Sequence, residues 1–213
     1  MKINNIDSKT NFNGIKLQTI KTPLKKIDIY SLDSRDENFI KNFIESAQYA
    51  SLPSDTVQIG DKLPKFIIID ALKKAYKTSK NDYTSKVLIS VENDKKITGI
   101  INAEFEGDMT VKGMASWSKG AARQGLLNTI LRETQKLKDS SLIIPTEQMT
   151  EAMKRFAKKL GFVRPKDCTK IYTVDAPDMP QVLKHIESLP NYKVKTYKSS
   201  KFTDLQKKLT DIG

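Results

Sequence analysis

Apolar and polar positions follow two different periods along this chain. Residues 26–32 and three segments between residues 86 and 117 alternate as β-strands do, and turn sequences at 93–96 and 107–108 separate the last three. Elsewhere apolar residues recur every three or four positions, which predicts amphipathic helices. With the shorter segments included, the predicted strands are 26–32, 86–92, 97–106, 109–117, 141–144, 170–174 and 192–197, and the predicted helices are 34–49, 66–77, 126–137, 149–160, 180–189 and 202–209.

Local signals mark the ends of three of these helices. Either Asp33 or Ser34 can cap the first one through its side chain. Pro64 stands where a first-turn proline belongs, just before the second helix. Gly161 follows the helix 149–160 in the place of a C-terminal glycine.

The order of these elements predicts the class of fold. It runs β-α-α-β-β-β-α-β-α-β with a short tail, so we expect an α/β protein of the α+β type, with a mixed, mostly antiparallel central sheet flanked by helices. Residues 1–21 are rich in Asn, Lys and Thr and only weakly periodic, which is typical of a flexible N-terminal arm. We expect a single domain over residues 22–200 and a C-terminal helix within 201–213.

The positive charge of the chain indicates which kinds of partner it favours. Its 213 residues suffice for one domain with an extension, or for two very small domains, and the formal net charge is +12. Such a charge favours nucleic acid, phosphorylated cofactors or an anionic membrane surface. Because lysines are spread along the whole chain, a solvated Lys-rich surface is the alternative. In residues 192–198 lysines alternate with apolar residues, which suits nucleic-acid contact or an ordinary edge strand protected by lysine.

Several function classes are excluded by single residues. Cys168 is the only cysteine and His185 the only histidine, so an intramolecular disulfide and a Cys/His zinc site are excluded and we expect no metal. A Ser-His or Cys-His nucleophilic system has few ways to form. The first residues lack an apolar signal core, and no apolar run approaches the length of a membrane span. We therefore expect a soluble cytoplasmic protein without a membrane partner.

A basic loop between the strand 109–117 and the following helix is a candidate phosphate-binding turn. A helix N-terminus collects unpaired N–H donors and a partial positive charge. Within the loop, two glycines permit close approach of a ligand, and two cations add charge-assisted hydrogen bonds. The alternative is a connector whose basic residues are merely solvated. The loop consists of Lys119, Gly120, Ala121, Ala122, Arg123, Gln124 and Gly125.

The element order and two stretches resemble the GNAT superfamily of acyl-CoA-dependent N-acyltransferases. The first stretch is the basic loop, which opens a helix at Leu126-Leu127-Asn128. The second is residues 153–162, an amphipathic helix that ends in Lys-Leu-Gly-Phe. The resemblance covers residues 24–198, with its motif-bearing core at 86–175.

Two departures from the family pattern concern its chemistry. The family's loop has Arg or Gln, two residues, Gly, one residue, then Gly or Ala. Here one register places Ser118, Ala121 and Arg123 at those positions, and the other places Trp117, Gly120 and Ala122 there. Many family members also have a tyrosine four residues before the glycine of Leu-Gly-Phe, thought to return a proton to the leaving thiolate. That position is Ala157 here.

The resemblance implies acetyl-CoA as co-substrate and an amine-bearing acceptor of unknown identity. Strand backbone around residues 111–115 would face the pantetheine arm, and the basic loop would hold the pyrophosphate. Ala157 favours an alternative, a catalytically inactive protein of this fold that binds CoA or a protein partner. A basic nucleic-acid-binding protein is less favoured. The predicted cofactor-binding residues are Val111, Gly113, Met114, Ala115, Phe156 and the loop residues 119–125.

Amide formation also needs a route for the ammonium proton. Glu147 is the first candidate base, because it follows the strand end where this fold splays to admit the cofactor. Glu104, on the strand 97–106, is the second candidate, and Tyr172 offers a proton donor. For the two carboxylates the alternative is simple solvent exposure, and for the tyrosine it is packing.

Overall fold

The computed structural model describes residues 14–79, 84–94, 96–118, 120–189 and 193–197. Within them the predicted mixed, mostly antiparallel sheet flanked by helices is confirmed. The strands are β1 Ile15–Lys21, β2 Lys26–Leu32, β3 Val57–Ile59, β4 Ser85–Glu92, β5 Lys96–Glu106, β6 Asp108–Ser116, β7 Leu142–Pro145, β8 Ile171–Val174 and β9 Lys193–Thr196. The helices are α1 Glu37–Gln48, α2 Pro64–Lys77, α3 Ala121–Gln135, α4 Glu151–Lys159 and α5 Met179–Glu187.

The strands form a sheet in the order β8-β7-β6-β5-β4-β2-β1-β9, and β3 pairs with β6 outside that path. The pairing of β6 with β7 is parallel and joins only Met109 to Leu142 and Thr110 to Ile143. Just beyond that point β6 carries a bulge at Lys112, because Ala103 pairs with Val111 while Asn102 pairs with Gly113. A bulge bends its strand and ends regular pairing. The last residues of β6 therefore diverge from β7, and β3 lies in the gap.

Helices cover the two faces of the sheet. α1 and α2 pack against one face around Phe43, Ile68 and Ile89. α3, α4 and α5 pack against the other face, around residues such as Leu127 and Met153. Burial of apolar side chains in these two layers supplies most of the driving force for folding. None of the helices in the described ranges is long and apolar enough to cross a membrane.

The first strand corrects part of the expected N-terminal arm. Residues 15–21 form β1, which pairs with β2 and β9 and buries Leu17 and Ile20. The flexible arm predicted for 1–21 is therefore wrong for these residues, and 1–13 lie outside the described part. The pairing of β1 shifts between Lys16 and Gln18. That irregularity breaks the alternation of apolar positions by which a strand is recognised in sequence.

Two further differences lie between β2 and α2. A short helical turn, Ser34–Asp36, precedes α1, and Asp33 caps it by accepting a hydrogen bond from the backbone N–H of Arg35. Of the two predicted caps, Asp33 is the one that forms. In the predicted loop, Val57–Ile59 forms β3, which at three residues is too short for a periodic signal. The predicted C-terminal helix at 202–209 lies outside the described residues.

Candidate functional site

The gap between β6 and β7 is filled by the chain itself. On one side β3 pairs antiparallel with β6, so that Gln58 faces Ala115 and Ile59 faces Met114. On its other side the Gly60 N–H donates to the Gln148 carbonyl at 2.6 Å. The Thr150 N–H likewise donates to the Gln58 carbonyl at 3.3 Å. β3 thus bridges β6 and the segment that follows β7, where an added strand or ligand would otherwise pair.

The side chains of β3 complete this closure. Val57 is 4% exposed and Ile59 is fully buried, both in the core beneath α3 and α4. Ile67 of α2 lies over the glycines on either side: an ideal Cβ on Gly113 would lie 3.1 Å from its Cγ2, and one on Gly60 would lie 2.7 Å from its Cδ1. Apolar side chains and backbone therefore seal the gap from two directions.

This closure bears on the predicted pantetheine-binding backbone. Met114 and Ala115 are paired with β5 on one edge and with β3 on the other. Val111 is fully buried and pairs with Ala103, and Gly113 lies beneath Ile67. In this structure the backbone edge of Met114 and Ala115 is not free, because the chain's own strand holds it.

The N-terminus of α3 lies directly after β6. Gly120 precedes the helix with φ of +70°, in the left-handed region that favours glycine, and a Cβ there would meet nothing within 4 Å. Ala121 is half-buried and Ala122 is fully buried. Lys119, predicted to contact phosphate, lies outside the described residues. The first turn of α3 is thus reachable from solvent at Gly120.

The side chain of Arg123, in the first turn of α3, faces α4. Its guanidinium carbon is 5.3 Å from the centroid of the Phe156 ring, within the range of a cation–π contact. Burial lowers the pKa of Arg123, and Asp55 near β3 acts in the opposite direction. An arginine nevertheless stays protonated at neutral pH. Within the described ranges its Nε is buried and has no hydrogen-bond partner, and a buried cationic donor of this kind suits an anionic oxygen.

The end of the predicted phosphate loop has packing roles. The Gln124 Nε2 donates to the Ile186 carbonyl on α5 at 3.1 Å. An ideal Cβ on Gly125 would lie only 2.3 Å from the Ile20 Cδ1 of β1, so glycine allows α3 to approach the sheet. Both residues point to neighbours in the core, whereas Arg123 faces α4. A contact of Gln124 or Gly125 with a cofactor stays a prediction.

The three acid–base candidates do not meet. Glu104 lies 2.6 Å from the Lys74 Nζ of α2, on the face covered by α1 and α2. Tyr172 is half-buried and packs against the opposite core. Glu147 is exposed in the segment after β7, 3.3 Å from the Lys170 Nζ. Of the three, Glu147 is the one that directly follows the end of β7.

The position of the family's tyrosine is closed to solvent. Ala157 is fully buried in the same core as Val57 and Ile59 of β3, and α4 contacts β3. The methyl group of Ala157 has no proton to give. Sequence reasoning missed β3 altogether; its only signal was the apolar-polar-apolar triplet at 57–59 just before Gly60.

Comparison with known proteins finds no matching family model and no matching curated sequence. Solved structures do match. RimJ from Mycobacterium smegmatis, in complex with CoA-disulfide, aligns with a TM-score of 0.53 over 85% of this chain and 97% of that chain, at 9% identity. The spermidine N-acetyltransferase of Vibrio cholerae in complex with CoA and spermine gives 0.45 over 72% and 98%, at 12% identity. The predicted GNAT resemblance is confirmed at the level of the fold: the chain has the fold of the GNAT acetyltransferases.

Proposed function

We propose that this protein is an acyl-CoA-dependent N-acyltransferase, most simply one that transfers an acetyl group from acetyl-CoA to an amine. The observation that carries the proposal is Arg123, a half-buried cation with an unpaired Nε at the first turn of α3. That turn follows the point where β6 leaves β7. Its N–H donors and the guanidinium, which lies over the Phe156 ring, together suit a pyrophosphate.

The acyl arm of such a ligand fits only after a local rearrangement. β3 holds the backbone of Met114 and Ala115, so a pantetheine arm can pair there only when β3 has left the gap. The cost of that movement reduces the apparent affinity by the fraction of molecules in the open state. We therefore propose that acyl-CoA binding and the release of β3 are coupled.

With β3 out of the gap, acetyl transfer would require two proton transfers, each assisted by a side chain of this protein or by solvent. The amine must approach the thioester carbonyl and lose a proton, and the departing sulfur must gain one. We assign the first proton transfer to Glu147, whose exposed carboxylate follows the end of β7. With alanine at position 157, the sulfur would take its proton from solvent.

A second candidate is favoured by the same strand. If β3 never leaves, the protein is a catalytically inactive member of the fold, and its surfaces serve a partner. The full burial of Ile59 and Ala157 supports this candidate. It predicts that acetyl-CoA neither stabilises the protein nor is consumed by it.

Thermal denaturation with acetyl-CoA or CoA, followed by a thiol-release assay over a panel of amines, separates the candidates. We expect both ligands to raise the melting temperature of the wild type. Arg123→Gln should abolish that rise, whereas Arg155→Gln, an exposed arginine on α4, should preserve it. Stabilisation without thiol release on any amine would favour a CoA-binding protein without transfer. No stabilisation at millimolar ligand would overturn the proposal.

A further inference from the structure

One face of the sheet edge formed by β1, β2 and β9 is lined with lysine. The register places Lys26 and Lys193 on either side of Lys21. It likewise aligns Thr19 with Asp28 and Lys195. Directly opposite residues in paired strands point to the same face. We call Lys16, Lys21, Lys26, Lys193 and Lys195 the lysine face.

The lysine face is concave. Its five lysines line a depression of about 360 Å³ together with Thr19, Val194 and Tyr197. Adjacent strands lie about 4.8 Å apart, and alternate residues along a strand lie about 7 Å apart. These spacings are shorter than the Debye length of about 8 Å at physiological salt. The ammonium groups therefore act on an approaching anion together.

Two of the lysines are held at the floor of the depression. The fully buried Asp28 carboxylate lies 2.9 Å from the Lys16 Nζ and 3.0 Å from the Lys26 Nζ. Lys26 also pairs with Asp94 at 2.8 Å. These two carboxylates neutralise part of the positive charge and fix where it lies.

The other three lysines have no carboxylate partner in the part of the chain that the structure describes. Lys21, Lys193 and Lys195 are exposed. The Lys195 Nζ lies 5.3 Å from the centroid of the Tyr197 ring, and the Lys16 Nζ lies 5.8 Å from it. The Tyr197 ring thus holds the ammonium groups of Lys16 and Lys195 near the depression through cation–π contacts.

We propose that the lysine face binds the phosphate backbone of a single-stranded nucleic acid without sequence preference. Lys21, Lys193 and Lys195 lie on two strands beside the Asp28-bound Lys16 and Lys26. This exceeds what one phosphate needs but matches a run of phosphates along a groove. Among the described residues of the lining, none is an arginine, asparagine or glutamine, the side chains that read base edges. The net charge of +12 adds long-range attraction for a large polyanion. α3 packs on the Ile20 and Ile29 side of β1 and β2, whereas Lys21 and Asp28, their sequence neighbours, point to the other face. The site therefore does not depend on the proposed acyl transfer.

Fluorescence anisotropy with a labelled 20-nucleotide single strand tests the proposal on the full chain between 50 and 200 mM salt. The variant Lys21→Gln/Lys193→Gln/Lys195→Gln removes the three exposed charges and keeps both lysines bound to Asp28. The matched control Lys73→Gln/Lys77→Gln/Lys166→Gln lowers the net charge equally at other exposed positions. We expect the first variant to bind roughly 10- to 100-fold more weakly at 0.1 M salt, with a salt slope smaller by about 2, and the control to change by less than about threefold.

Three outcomes would overturn the proposal. In the first, the wild type fails to bind the single strand at 50 mM salt. In the second, the two triple variants lose affinity equally, which would show that binding depends only on the total charge of the protein. In the third, vesicles containing 30% phosphatidylserine bind the wild type while the oligonucleotide does not, which assigns the face to a lipid surface. Equal melting temperatures of the variants establish that all of them are folded. Binding that persists in excess acetyl-CoA separates this site from the α3 turn.

Discussion

At the scale of single residues, Asp28 is the buried charge that joins β1 to β2. Its carboxylate accepts a hydrogen bond from the Thr19 hydroxyl and pairs with Lys16 and Lys26. Burial by itself raises the pKa of a carboxyl, but these partners together hold the pKa of Asp28 below its ordinary value of 3.8. The ionised form therefore stabilises the folded state.

We expect Asp28→Asn to lower the free energy of unfolding by about 1–3 kcal/mol at pH 7, because two ammonium groups lose their shared anion. Since the folded-state pKa is below the unfolded-state value, this stabilisation is complete above about pH 4 and is lost as the pH falls through the folded-state pKa. Urea unfolding at pH 7 and pH 3 measures it. The difference between wild type and variant should shrink at pH 3, and an equal difference at both pH values would contradict the role of the charge.

Gly125 gives a second prediction at this scale. A methyl group there would meet Ile20 of β1 and Ile29 of β2, so in Gly125→Ala either these buried side chains or α3 must shift. We expect a loss of about 1–3 kcal/mol in the free energy of unfolding, although alanine favours a helix by itself. Thermal denaturation of the wild type and the variant without ligand measures this loss of stability. A variant more stable than the wild type would show that the space is not limiting.

At the scale of elements, β3 is the part of the structure that decides access to the gap. Ile59→Ala weakens its packing by about 2–5 kcal/mol and should shift the protein towards an open gap. We expect it to bind acetyl-CoA more tightly than the wild type while melting at a lower temperature. Ile89→Ala, an equally buried residue in the other core, should lower the melting temperature without raising the affinity. Titration calorimetry compares the three proteins, and equal affinities for the two variants would refute coupling between β3 and the ligand.

Sequence patterns predicted the elements whose signals are local. The β4-β5-β6 meander followed from alternation and from the turns between the strands, and α4 followed from its apolar face and Gly161. β1 was not predicted because its bulge shifts the period of apolar positions. β3 was not predicted because three residues are too few to show a period. The place of Arg123 over Phe156 depends on how α3 and α4 pack, which no local pattern contains. The same limit applies to Glu104 and Tyr172, which the register places on opposite faces.

At the scale of the whole molecule, the same sheet carries both proposed binding sites. A GNAT sheet carries a gap that its own strand closes, and the far edge of the same sheet carries the lysine face. The β6–β7 gap and β1–β9 lie on opposite sides of β5, β4 and β2 in the strand order. A ligand at one therefore does not block the other, and the two proposals can be tested independently.

Hydrogen–deuterium exchange of the full chain, with and without saturating acetyl-CoA, tests the central claim most directly. If acyl-CoA binds at the first turn of α3 and displaces β3, amides at residues 57–59 should exchange faster with ligand and those at 121–123 more slowly. Arg123→Gln should remove both changes. Unchanged exchange in both segments at millimolar acetyl-CoA would contradict the claim that this fold admits an acyl-CoA.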